Sequence, residues 1–163
     1  MDISDYIATG AAIVSVSACA INIWQASISK KHNQLSVKPM LHFDCILDND
    51  LVLKIKNTGT GPAIINNCSL YFNEVLLGSN SQEIAYNLFE ELEVQHLGGR
   101  MYIPGIRQAM PAGESYEIMR IDAVISDNQV MERIMNDLTL LTIDLNYESI
   151  YGEKFDISGP DFS

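Results

Sequence analysis

The pattern of hydrophobic and polar residues divides the chain into two parts. The first part is the segment from Tyr6 to Ser29, which carries no charged residue. About 20 mostly apolar residues in a helix suffice to cross a hydrocarbon core ~30 Å thick. From Val37 onward the pattern changes to short runs in which apolar and polar residues alternate, as they do in half-buried strands. The sequence therefore predicts a membrane-spanning helix followed by a domain rich in β-strands.

The residues at the ends of the uncharged segment favour a spanning helix. Trp24 and Tyr6 suit the aromatic belts that lie at membrane interfaces. A cleaved signal peptide normally begins with Lys or Arg, whereas Asp2 and Asp5 stand here. Two alternatives stay open: a buried helix of a soluble protein, because polar residues interrupt the segment, and a bacterial lipoprotein processing site, which the four residues ending at Cys19 loosely resemble.

Basic residues lie on only one flank of the predicted span. Lys30, Lys31 and Lys38 follow it and, with Trp24, form the predicted membrane-anchor flank. Because the positively charged flank tends to stay in the cytoplasm, we expect the N-terminus outside and the domain inside. The predicted organisation is a transmembrane helix over 1–29, a basic juxtamembrane collar over 30–38 and a cytoplasmic domain over 39–163.

Small and polar residues recur on one side of the predicted span. The stripe follows a 3-4-3-4-3 spacing and comprises Ala8, Ala11, Ser15, Ala18, Asn22 and Gln25. Small residues let helices approach closely in lipid, and an Asn there gains about 0.6–2 kcal/mol by bonding across a helix pair. We expect self-association, or pairing with a partner protein, through this stripe. The alternative is that Ala and Ser merely make the span weakly hydrophobic.

The remainder of the chain reads as a β-sandwich. Alternating runs predict strands over 37–47, 51–56, 63–72 with 74–77, 101–103, 115–121, 138–147 and 154–157. Apolar residues at helical spacing predict two short helices, over 81–97 and over 126–136. The predicted fold class is mainly β: an N-terminal transmembrane α-helix, then an immunoglobulin-like sandwich of about seven strands with two short helical insertions.

The charge of the chain bears on its partners. The net charge is −11, and residues 39–163 hold 19 acidic and 7 basic side chains, a net charge of −12. Binding to nucleic acid relies on Lys and Arg that neutralise phosphates, so we expect neither DNA nor RNA as a partner. An anionic lipid surface would also repel the domain, which is therefore expected to stand off the bilayer while the helix contacts membrane lipid.

Two sequence motifs carry a resemblance. Residues 31–39 read KHNQLSVKP and residues 57–63 read NTGTGPA. A span followed by a K/R-H-N-x-L-S-V-x-P collar and an N-x-G-x-G-P-A loop resembles a widespread set of uncharacterised bacterial membrane proteins. The resemblance covers roughly residues 22–75 and the general plan of the rest. It implies a cytoplasmic sandwich held at the bacterial inner membrane by one helix, and it carries no assigned activity or functional residue.

Candidate chemistry is sparse. His42 and Asp44 share one face of a predicted strand and could, with His96, begin a metal site. The hypothesis is weak, since no second pair of ligands has recognisable spacing. No serine lies in a nucleophile motif. The loop with Gly59 and Gly61 could present amides to an anion such as phosphate, although a plain glycine turn between strands is commoner. We expect no catalytic residue, no metal and no cofactor.

Three classes of function follow. The preferred one is a non-enzymatic, membrane-tethered sensor or interaction module that self-associates through its helix and presents the acidic sandwich to a partner. The second is a trigger-gated effector of bacterial anti-phage defence that makes the membrane leak, with Ser15, Asn22 and Gln25 lining the path. The third is an enzyme, such as a hydrolase using His42 and Asp44.

Overall fold

The computed structural model describes residues 2–95, 97–122 and 128–159. The contacts within it divide the chain into two compact units, one ending at Ser36 and the other beginning at Val37. The first unit is one helix, and the second is a β-rich domain.

The first unit is the helix α1, Ile3–Ser36, with 34 residues. It is long and apolar enough to cross a membrane, with a mean hydropathy of 1.7 over its best window. None of its described side chains is buried. At 1.5 Å per residue the helix is about 50 Å long, more than the ~30 Å that a hydrocarbon core requires. It continues past residue 29, so most of the predicted collar, with Lys30 and Lys31, is helical.

The second unit is built on two antiparallel sheets. Its described strands are, in chain order, β1 (Leu41–Leu47), β2 (Leu51–Asn57), β3 (Ala63–Phe72), β4 (Val75–Leu76), β5 (Gly99–Met101), β6 (Gln108–Met110), β7 (Ser115–Ile121), β8 (Leu141–Ser149) and β9 (Lys154–Gly159). The first sheet has the order β1-β2-β7-β5 and the second the order β4-β3-β8-β9, with β6 also paired to β3. The prediction of a mainly β domain after an apolar helix is therefore confirmed.

The strand order is that of an immunoglobulin-like sandwich. The sheet β1-β2-β7-β5 corresponds to A-B-E-D of a constant-type domain, and β3-β8-β9 corresponds to C-F-G. The described strands number nine rather than about seven. β6 is not among the predicted strands, because three residues are too few to display a period of two. β5 lies two residues before the predicted 101–103, where Gly99–Met101 pairs with β7.

Alternating residues of the strands form the core. Every second residue of β8 is buried, from Leu141 to Ser149, as expected for a strand with one face on the core. The largest fully buried side chains are Leu51, Leu53, Ile55, Ile65, Leu70, Leu88, Leu92, Met110, Ile118, Met119, Ile121 and Ile134. Burial of this apolar surface, at roughly 25 cal/mol per Å², is the main term that stabilises the domain.

The helix α2, Ser81–Glu91, is shorter than the predicted range 81–97. Asn80 caps its N-terminus, because the Asn80 side chain accepts a hydrogen bond from the Glu83 amide. It ends because Glu93 adopts the left-handed conformation (φ 51°) and the Val94 amide donates to the Phe89 carbonyl. This is a Schellman motif, which usually has glycine at the left-handed position. The glutamate there gave no signal for the end of the helix.

The helix α3, Asn128–Leu138, extends two residues beyond the predicted C-terminus at 136. Residues 126 and 127 of the prediction lie outside the described residues. Ile134 and Leu138 are both buried at i, i+4 spacing, which extends the apolar face to the last residue. A turn follows, in which the Leu140 amide donates to the Asp137 carbonyl. For this reason β8 begins at Leu141 rather than at 138.

Candidate functional site

The side chain of Asn57 is the centre of a hydrogen-bonded cluster at the start of the domain. Asn57 is fully buried at the end of β2. Its Oδ1 accepts from the main-chain amides of Met40 (3.2 Å) and Gly59 (3.0 Å). Its Nδ2 donates to the carbonyls of Gly61 (2.9 Å), Met110 (3.1 Å) and Pro111 (3.2 Å). One amide side chain thus joins three separate stretches of chain, which we call the Asn57 clasp: residues 37–40, 57–61 and 110–111.

Main-chain hydrogen bonds add to the clasp. The Thr58 amide donates to the Met40 carbonyl (2.8 Å), and the Thr60 amide donates to the Lys38 carbonyl (3.0 Å). The Gly61 amide also points to Lys38, at 3.4 Å from its carbonyl oxygen. The amides of residues 58–61 therefore have acceptors within the protein, since Gly59 donates to the Asn57 side chain. This favours a structural role for the glycine loop over the predicted anion site, which stays a prediction.

The two glycines of the loop make room for the chain that precedes β1. A Cβ built on Gly61 would lie 1.9 Å from the Val37 carbonyl oxygen, and one on Gly59 would lie 2.4 Å from the Lys38 carbonyl oxygen. The nearest atoms are main-chain atoms, which cannot turn aside as a flexible side chain can. Any residue larger than glycine at these positions must displace residues 37–39.

The clasp brings the two sequence motifs into contact. The V-x-P of the first motif, residues 37–39, lies against the N-x-G-x-G of the second, residues 57–61. Lys38, a predicted flank residue, has its Nζ over the ring of Phe155 at 5.1 Å from the centroid. Phe155 in turn stacks on Tyr147, with ring centroids 5.3 Å apart. The segment that follows α1 is therefore fixed to the domain.

The residues of the predicted helix stripe differ in how their polar groups are satisfied. Ser15 Oγ donates to the Ala11 carbonyl at 2.8 Å, and four other hydroxyls of α1 make the same i−4 bond. Among the described residues, none bonds the side-chain amide of Asn22 or of Gln25. Hydroxyls bonded in this way need no external partner in lipid, whereas a free amide does.

An ion cluster occupies the outer face of the first sheet. Arg120 pairs with Asp50 (2.7 Å) and with Glu117 (2.8 Å), and Arg100 also pairs with Glu117 (2.8 Å). The hydrogen bonds from Arg120, followed by those from Arg100, lower the pKa of Glu117 to about 2. The same contact with Glu117 raises the pKa of Arg120 above its usual value.

The ion cluster depends on a β-bulge. In a regular strand, residues three apart point to opposite faces. The register between β2 and β7 shifts at Leu53 and Lys54, so Glu117 lies opposite Lys54 while Met119 lies opposite Leu53. The extra residue, Ile118, brings Glu117 and Arg120 to one face. This cluster is not visible in the sequence, since a bulge leaves no mark on a period of two.

Neither His42 nor the cysteines Cys45 and Cys68 indicate a reactive site. His42 Nδ1 lies 3.3 Å from Thr58 Oγ1, and His96 lies outside the described residues. The part of the chain that the structure describes holds no group of three His, Cys, Asp or Glu that could bind a metal ion. Burial raises the pKa of Cys68 to about 12 and also raises that of Cys45. A thiol with a raised pKa is a poor nucleophile at neutral pH.

Comparison with known proteins gave no match, either to a family model or to a curated protein.

Proposed function

We propose that this chain is a non-enzymatic, membrane-tethered interaction module. In this proposal α1 crosses the bacterial inner membrane and associates with a second copy, and the acidic sandwich meets a partner in the cytoplasm. The orientation rests on Lys30 and Lys31 at one end of the span and on Asp2 and Asp5 at the other.

The observation that carries the proposal is the pair of unsatisfied amides on the small-residue stripe. Asn22 and Gln25 lie on the same stripe as Ala11 and Ala18, where helices can approach closely. In the hydrocarbon core no water is present to bond a free amide, so its partner must come from protein. A second helix carrying the same stripe supplies one, because an amide both donates and accepts.

The test compares two sets of three leucine substitutions in the full chain. Ala11→Leu, Ser15→Leu and Ala18→Leu together fill the seam, and we expect the protein to become monomeric by cross-linking and sizing in a mild detergent. The matched control places leucine at Ile13, Val16 and Ala20 on the other side of α1, where the oligomer should persist. An oligomer unchanged by the seam variant would remove the association claim.

The single change Asn22→Ala gives a finer measurement. A bond across a helix pair contributes about 0.6–2 kcal/mol, so we expect the dissociation constant in detergent to rise roughly 3- to 30-fold. An equal effect of a change at Ile23, which lies off the stripe, would show that the amide is not responsible.

The same amides also suit the second candidate, a trigger-gated effector in which associated helices open a leak. Asn22 and Gln25 would line the path, while the hydroxyl of Ser15 is engaged by its own helix. A membrane-potential dye distinguishes the two functions in cells that express the full chain with and without its genomic neighbours. Depolarisation under any trigger would favour the effector. The absence of depolarisation under every trigger would favour the tethered module.

A further inference from the structure

The edge of the second sheet is covered at both ends and open in the middle. On the side of β3 away from β8, β6 pairs with Ala63–Ile65 and β4 pairs with Tyr71–Phe72. No described strand pairs with this side of β3 between those two stretches. Three residues in the middle, Asn67–Ser69, extend for about 10 Å.

The hydrogen-bond pattern shows which main-chain groups face the opening. Residues Asn73 and Glu74 both have positive φ (48° and 68°), which defines a two-residue hairpin turn between β3 and β4. The next bond along this hairpin runs from the Leu77 amide to the Leu70 carbonyl (3.0 Å). Because bonding groups alternate along a strand, the N–H and C=O of Cys68 face the same edge. Among the described residues none pairs with Cys68 on this side, so its N–H and C=O are open to a ligand.

A groove lies over the opening. Its volume is about 470 Å³, within the range of pockets that hold ligands. Ile84 of α2 and Ile103 line it, and two exposed side chains, Leu76 (53% exposed) and Ile106 (79% exposed), also line it.

The lining restricts the chemistry of the ligand. None of the lining residues is charged, in a chain whose net charge is −11. An anionic ligand would find no cation among the lining residues and would meet the negative field of the domain. Glu83 lies beside the lining, where its carboxylate already accepts hydrogen bonds from Ser79 and Asn80. The groove offers the unpaired main-chain N–H and C=O of Cys68 beside apolar side chains. That combination is the one by which sheet edges recognise extended peptides.

We propose that this groove, the β3 slot, binds an extended, uncharged segment of a partner protein, of which about three residues fill the open part of the β3 edge. The peptide pairs with Cys68 and places alternate apolar side chains against Ile84 and Ile103. The inference rests on the proposed role of the sandwich as an interaction module, and it identifies the class of partner. The sequence gives no signal for the slot, because two short strands that stop at different points of β3 define it.

The test uses the full chain in a mild detergent and a library of random seven-residue peptides displayed on phage. We expect selection to enrich uncharged peptides that alternate apolar residues. Ile106→Asp should weaken the best peptide at least tenfold, because it puts a charge into the slot. The matched control is Ile150→Asp, an exposed isoleucine outside the slot (51% exposed), which should leave binding unchanged.

A second readout locates the peptide without any substitution. Hydrogen exchange of the Cys68 amide, followed by NMR, should be fast in the free protein and at least tenfold slower with the selected peptide. The amide of Leu145, in the neighbouring strand β8, should not change. The proposal would be refuted if selection enriched charged peptides or no peptides. It would also be refuted if the Ile106→Asp variant bound the peptide equally well, or if the peptide left the Cys68 amide unprotected.

These outcomes are separate from those of the proposed function. If the peptide test fails but the helix oligomer is intact, the tethered module remains supported and its partner binds another surface. A monomeric chain that binds the peptide would retain the slot and remove the association of α1.

Discussion

Replacing Asn57 with alanine removes five hydrogen bonds from the clasp in a single step. The amides of Met40 and Gly59 lose their acceptor, and three carbonyls lose their donor. Alanine cannot replace either function. The change also leaves a space in a position that is fully buried.

The expected cost can be worked from the burial of these bonds. The bonds to Gly61 and Met110 are buried, and the other three are partly buried. A buried polar group left without a partner costs about 1–3 kcal/mol, and a group that water can reach costs less. We therefore expect Asn57→Ala to lower the free energy of unfolding by about 3–5 kcal/mol. A domain of this size has a total stability of roughly 6–18 kcal/mol, so the variant should fold but unfold early.

The assay is urea unfolding of the full chain in a mild detergent, followed by hydrogen exchange of peptides from β2, β3 and β8. Asn146→Ala is the matched control, because Asn146 is an exposed asparagine on a strand of the same domain. Its effect should stay within about 0.5 kcal/mol. A loss at Asn57 no larger than that of the control would refute the structural importance of the clasp.

The isosteric change Asn57→Asp separates hydrogen bonding from packing. A carboxylate keeps the two acceptor bonds but opposes three carbonyl oxygens, so burial should raise its pKa above the unfolded value of about 3.9. A group whose pKa is raised on folding stabilises the protein at low pH and loses that effect as the pH rises. The stability difference between this variant and the wild type should therefore shrink on going from pH 7 to pH 5. An unchanged difference would contradict the assigned donor role of Nδ2.

Three further outcomes follow from the same structure. Gly61→Ala should destabilise the domain, because the new Cβ would clash with the Val37 carbonyl oxygen. Gly105→Ala is the control and should not destabilise it, because its Cβ would make only an ordinary contact at 3.8 Å. Equal melting temperatures of the two variants would contradict this prediction. Glu117→Gln should cost about 1 kcal/mol at neutral pH, since the ion pairs are partly exposed. The pKa of Glu117 is lowered on folding, from 4.5 to about 2. Its contribution is therefore present above pH 4.5 and is lost as the pH falls through about 2, so the urea midpoints of variant and wild type should converge between pH 4.5 and pH 2.

Much of the fold could be predicted because its elements have simple periods. The alternation in β2 and β8 follows from burying one face of each strand, and the uncharged run is long enough to predict the helix α1. The ends of the helices were harder to predict. Glu93 stops α2 in a conformation that usually calls for glycine, and Leu138 extends α3 by packing on the core. Both depend on contacts with distant residues rather than on local preference.

The candidate sites were less accessible from sequence for a related reason. Asn57 could be recognised as part of a turn motif, but its partners Met40 and Pro111 are 17 and 54 residues away. The pairing of Glu117 with Arg120 depends on a bulge, which follows from the register of two strands rather than from either strand alone. Long-range pairing fixes these features, and a single sequence does not display it.

Two fusions at the C-terminus test whether α1 lies in lipid with the domain in the cytoplasm. In one, green fluorescent protein follows residue 163, and in the other, alkaline phosphatase follows it. We predict that the fluorescent fusion stays in the membrane pellet after alkaline carbonate extraction and fluoresces, while the phosphatase fusion is inactive. Recovery of the fusion in the soluble fraction without detergent, or active phosphatase outside the inner membrane, would contradict the tether and its orientation.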